Sequence, residues 1–138
     1  MNRLDNRLSN ETIQIEDEIY TFAELLSINP DNLSEEFATH ASRFAYISAL
    51  TAKSEALYNE AKQYREEVYA EVELYYRDEL AKMSDIKVTE GLIKSTVMGD
   101  EKYLQAVTSE NAAQRDWKIL RALADGLRER GSMLQLVL

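Results

Sequence analysis

At 138 residues, 45% of them hydrophobic and none of them Cys, the chain has room for one domain with a modest core, and disulfide and thiolate chemistry are excluded. Its net charge of −9 is uneven: residues 1–80 carry seven Lys or Arg against seventeen Asp or Glu, whereas residues 81–138 carry nine against eight. Such acidity argues against non-specific nucleic-acid binding by a lone monomer, which depends on cations neutralising phosphates, but it leaves room for a basic rim built by several subunits.

The opening MNRLDNRLSNE is too polar for the apolar part of a signal peptide, and no run of about eighteen apolar residues is present to span a bilayer. The expectation is a cytoplasmic protein with no membrane association. Residues 1–9 read as a frayed polar start. Within 1–30 a first short helix is expected after Ser9 or Asn10, with Ile15, Ile19, Phe22 and Leu26 at spacings of 4, 3 and 4. The alternation Thr12, Ile13, Gln14, Ile15 also fits a four-residue strand; helix is the preferred reading. Ser27 to Asp31, with the single proline Pro30, reads as a turn.

Residues 32–83 contain neither Gly nor Pro and predict one long helix, about 75 Å at 1.5 Å per residue. Asn32 is its expected N-cap, with Glu35 reaching back as in a capping box. Two apolar seams run along it. The first is Leu33, Phe37, Ala41, Phe44, Ile47 and Leu50. The second is Leu57, Ala61, Tyr64, Val68, Val72 and Tyr75, an eleven-residue repeat that keeps to one side of a nearly straight helix. Both seams call for helices packed along them.

After a break at Ser84 to Val88, Thr89 offers an N-cap for a short helix over 89–98 carrying Leu92, Ile93, Val97 and Met98. Gly99 ends it and Asp100 caps the next. A C-terminal helix over 100–131 places Tyr103, Val107, Trp117, Leu120, Ala124 and Leu127 inward; Gly126 inside it fits either a close helix crossing or a glycine tolerated at modest cost. The tail 132–138 is apolar and calls for burial either in the protomer's own groove or in a neighbouring subunit; on the second reading Leu127, Met133, Leu134, Leu136, Val137 and Leu138 are the candidate oligomer interface. The expected fold is all-α, a long central helix forming an antiparallel hairpin with the C-terminal helix, plus short helices.

Catalytic chemistry finds little support. Four-helix carboxylate metal sites use Glu-x-x-His pairs, and the single His40 has Phe37 three residues before it; Glu36, four before, suits a surface contact. The Glu-Glu-x-x-Glu of helical nucleotide pyrophosphatases is missing, because Glu66 and Glu67 are followed by Val68, Tyr69 and Ala70 before Glu71. Without a Gly-rich phosphate loop, a thiol or a His-based triad, the chain reads as a non-enzyme with no cofactor and no metal. Tyr58, Tyr64, Tyr69, Tyr75 and Tyr76 on the long helix suit core or interface positions, or alternatively a stacking surface for single-stranded bases. Arg77, Lys82, Lys87, Lys94 and Lys102 gather around the break and are the candidate nucleic-acid contacts.

Lys87-Val-Thr-Glu90, then Ile93, Val97, Asp100 and Tyr103, then Arg128-Glu-Arg130-Gly131 and a Met133-Leu134 close form a pattern that resembles the UvsY-type recombination mediators of tailed phages. The Tyr75-Tyr76 pair falls where that family carries an aromatic pair, and the likeness extends over roughly residues 40–135. The resemblance implies a homo-oligomeric ring with C-terminal subunit contacts, single-stranded DNA binding, and help in exchanging a single-strand-binding protein for a recombinase, in the cytoplasm of an infected host cell. One departure stands out: where the mediators have basic residues before the aromatic pair, this chain has Ala70, Glu71, Val72 and Glu73. The alternative is an acidic helical phage structural, assembly or protein-interaction factor that does not bind DNA.

Overall fold

The computed structural model describes residues 10–15, 17–83 and 85–137. Expectations that fall on residues 1–9, Ser84 or Leu138 lie outside the described residues. The elements are β1 (Thr12–Ile15), β2 (Glu18–Thr21), α1 (Phe22–Leu26), a 3-10 turn at Pro30–Asn32, α2 (Leu33–Ala81), α3 (Glu90–Met98) and α4 (Glu101–Leu136). The long helix packs against the C-terminal helix, so the fold is mainly all-α with one small sheet.

The N-terminal expectation is corrected. The expected helix is present only over Phe22–Leu26; ahead of it β1 and β2 pair antiparallel in a register running from Thr12↔Thr21 to Ile15↔Glu18. Thr, Ile and Tyr favour the pleated surface, and the alternation wins over the helical spacing. Ile13, Ile15 and Tyr20 pack on the core while Ile19, which the helix reading placed inside, stays exposed. An isolated hairpin of this size is marginal. Here it is tied to α1 by the Phe22 amide donating to the Glu11 carbonyl at 2.9 Å and covered by the Arg43 guanidinium 5.3 Å from the Tyr20 ring centre. Thr21 closes a capping box with Glu24 at the start of α1.

Pro30 also departs from its expected role. It opens the 3-10 turn, with Asn29 Oδ1 accepting from the Asp31 amide at 3.0 Å; a missing N–H costs nothing at a first helical position. Asn32, expected as the N-cap of α2 in a capping box, instead ends the 3-10 turn that Asn29 caps, and its side chain donates to the Glu35 side chain.

The chain packs as two units. In the unit formed by the described residues up to Lys53 together with 117–137, Phe22, Leu25, Ile47, Leu123, Ala124 and Leu127 make the core. Antiparallel register here is marked by Thr51 Oγ1 donating to the Leu120 carbonyl at 3.3 Å and by Arg130 Nη2 donating to Glu36. Gly126 lies where a Cβ would come 2.7 Å from Leu26 Cδ2, the close crossing its position suggested.

In the unit Ser54–Asp116 the core is Val68, Val72, Leu80, Ile93, Val97, Tyr103 and Ala106. Thr89 Oγ1 accepts from the Leu92 amide at 3.1 Å, and Asp100 Oδ1 accepts from the Tyr103 amide at 3.0 Å, so both helix starts are capped as read. Gln114 donates to the Tyr58 hydroxyl at 3.2 Å and Tyr76 donates to Asp100 Oδ2 at 2.9 Å, which again gives antiparallel register.

Two further expectations change. The buried side of α2 is centred on Val68, Val72 and Leu80 with Tyr69 and Tyr76 at its edge, so Leu57, Tyr64 and Tyr75 of the second seam stay largely exposed. Gly131 does not end the last helix, which continues to Leu136. Its Cβ would lie 2.5 Å from His40 Nε2; close packing, not chain reversal, accounts for glycine there.

Candidate nucleic-acid interface

The five candidate cations all fall in the unit Ser54–Asp116, on α2, α3, the start of α4 and the segment linking α2 to α3. The structure divides them. Arg77 donates from Nη1 and Nη2 to the two oxygens of Glu90 at 2.9 and 2.6 Å and from Nε to Glu73 at 3.1 Å. This fork holds the Arg77 proton more tightly than usual and pulls the Glu90 carboxyl below its ordinary range. Lys82 reaches Asp78 and Glu79, each at 3.3 Å, and Lys102 reaches both oxygens of Glu71 at 3.1 Å. Hydrogen bonds to those carboxylates raise both lysines.

At Arg77, Lys82 and Lys102 a phosphate would have to displace a carboxylate already in place. Lys87 and Lys94 differ. Both are exposed, and among the described residues neither meets a carboxylate within 4 Å. Lys94 stands on α3, whose inward side is held by Ile93 and Val97.

The Tyr75 and Tyr76 rings meet edge to face, 5.2 Å apart at 74°. Tyr76 is turned inward to Asp100, whose carboxyl is held low by the Tyr103 amide first and the Tyr76 hydroxyl after it; the same hydrogen bond raises the Tyr76 phenol. Only Tyr75 of the pair offers a free face. Among the other tyrosines Tyr64 is exposed, while Tyr58 and Tyr69 are half-buried.

The candidate subunit joint is corrected in part. Leu127 and Leu134 are buried within their own unit and cannot meet a neighbour. Met133, Leu136 and Val137 are exposed, Leu136 at 85%, on the last turn of α4 and the residue just past it. The i, i+3 and i+4 spacing of these three makes one short apolar stripe.

Sequence reasoning missed one cluster. Arg130, fully buried, donates to Glu36, to the Ser27 carbonyl at 3.0 Å from Nε, and to His40 Nδ1 at 3.0 Å from Nη1. Arginine has no acceptor, so Nδ1 must accept and His40 is neutral; burial lowers its affinity for a second proton. Glu36 is thus not a surface partner of His40 alone. The four-residue spacing of Glu36 and His40 was visible in the sequence, but the Arg130 that joins them lies 90 residues away from His40. Beside this cluster, Phe37, His40, Ala41, Phe44, Arg128 and Gly131 line part of a shallow groove of about 380 Å³.

Among the described residues no three His, Cys, Asp or Glu side chains come together to hold a metal ion, and no helix is long and apolar enough to cross a membrane. Comparison with protein-family models, with curated proteins and with solved structures found no match.

Proposed function

We propose that this protein is a non-enzymatic phage recombination accessory that self-associates, binds single-stranded DNA weakly through each subunit, and helps load a recombinase in place of a single-strand-binding protein. One observation carries the reading. Among the positions on which the resemblance rests, Tyr76, Ile93, Val97, Asp100 and Tyr103 converge on one core and its capping hydrogen bonds. Their spacing is that of a folding unit, and the same unit leaves Lys87 and Lys94 as its unpaired cations among the five candidates. Two lysines per subunit give little affinity alone; repeated around a ring they act at high effective concentration. The exposed Met133, Leu136 and Val137 supply the subunit joint in this reading.

Fluorescence anisotropy of a labelled oligo-dT at low salt tests the DNA role. The wild type is expected to bind with an affinity that falls with salt, and Lys87→Gln/Lys94→Gln to weaken binding about tenfold or more while flattening the salt slope. No binding, or binding indifferent to the double substitution, would remove it. A second reading, an acidic protein-interaction factor that never meets DNA, is favoured by the carboxylates that occupy Arg77, Lys82 and Lys102. Pull-down against phage recombination proteins and virion proteins separates the two.

A further inference from the structure

The flank of α2 at the edge of its buried side is not an ordinary solvated surface. Leu57, Tyr64 and Tyr75 are 53%, 51% and 59% exposed. Spacings of seven and eleven residues are close to two and three helical turns, so Leu57, Tyr64 and Tyr75 fall along one line of about 27 Å. Scattered single apolar residues need no explanation, but an aligned set does.

Charge says what the line would accept. Glu60, Glu67, Glu71 and Asp78 are all exposed at helical positions beside it. Lys102 and Lys82 engage Glu71 and Asp78, whereas Glu60 and Glu67 meet no cation within 4 Å among the described residues. A polyanion is repelled, and an apolar segment without charge would bury those carboxylates unpaired. We infer that this face of α2 docks a basic amphipathic helix of a partner protein, with apolar residues at matching seven- and eleven-residue spacing and Lys or Arg along its flank. Among the described residues, α4 does not supply that ligand. Along α4, Lys118, Arg121 and Arg128 are exposed, but no large apolar side chain is exposed between Leu104 and Met133. The exposed apolar end of α4, residues 131–137, has no charged residue.

The inference is independent of the Lys87 and Lys94 surface, and a protein that binds the peptide below but no DNA leaves it intact. The probe is a fluorescein-labelled eighteen-residue peptide of Leu and Lys with Leu on one helical face, set against a peptide of the same composition reordered so that no apolar face forms. Anisotropy at constant salt is expected to show the ordered peptide binding at least tenfold tighter than the reordered one. Leu57→Ser/Tyr64→Ser/Tyr75→Ser should lose about tenfold of that affinity, and Glu60→Gln/Glu67→Gln should weaken it and reduce its salt dependence. The Gln pair alters neither volume nor buried surface, so it carries the test should the Ser triple fail to fold. Equal binding of the two peptides, or ordered-peptide binding that the Gln pair leaves unchanged, would overturn the inference. So would a folded Ser triple whose sedimentation mass falls below that of the wild type, because a second copy would then be the occupant.

Discussion

Gly131 and Gly126 both sit inside α4, yet they answer to different neighbours. At Gly131 the neighbour is the His40 ring, held between Arg130 and Phe44, whose ring stacks on it at 5.9 Å. Gly131→Ala gains about 1 kcal/mol of helix propensity but meets that fixed ring, at an overpacking cost of about 1–3 kcal/mol. A net loss of about 1 kcal/mol is expected in urea denaturation. At Gly126 the neighbour is the methyl end of Leu26, which can turn aside, so Gly126→Ala should fall within about 0.5 kcal/mol of the wild type. The same His40 gives a pH dependence. Its folded affinity for a proton lies below the ordinary value of 6.5, because burial disfavours the imidazolium. The groups around it are Arg130 and Arg128 from α4 and Glu36 from its own helix, so a second proton adds a cation beside Arg130. The unfolded chain binds more protons through this window, so His40's contribution is complete above about pH 6.5 and fades as pH falls toward the lowered folded value. Thermal melts from pH 7.5 to 5 should show the decline, and His40→Asn should flatten it.

Among the elements, the helices that carry long apolar runs between clear caps were legible in the sequence: Thr89 and Asp100 start α3 and α4 because an oxygen there meets an orphan amide three residues on. Asp100→Ala removes both that cap and the acceptor for Tyr76 and is expected to cost about 1–2 kcal/mol, read by chemical denaturation. What stayed hidden was set by distant partners. The hairpin of β1 and β2 reads ambiguously in ten residues, and only the core formed by Leu25, Ile47 and Leu123 chooses the alternation over the helical spacing. The eleven-residue seam of α2 was seen, but which side of it lies inward depends on where α3 and α4 pack. The candidate cations were visible as residues, yet nothing local announced that Glu90, thirteen residues on, and Glu71, thirty-one before Lys102, would neutralise Arg77 and Lys102. Core substitutions should reflect the packing found: Ile93→Ala is expected to cost about 2–5 kcal/mol in the unit that holds Lys87 and Lys94, and Leu136→Ala almost nothing in an isolated chain.

For the whole molecule, an acidic chain of net charge −9 is asked to serve DNA, and this is reasonable only if many copies present their few free lysines together. Self-association is therefore the claim on which the proposed function turns. Sedimentation equilibrium at micromolar concentration tests it most directly, on the wild type and on Met133→Ser/Leu136→Ser. A mass that is a multiple of 15.9 kDa for the wild type, reduced by the double substitution with the helical content retained, is the predicted result. A single species of 15.9 kDa for the wild type across the concentration range would contradict it.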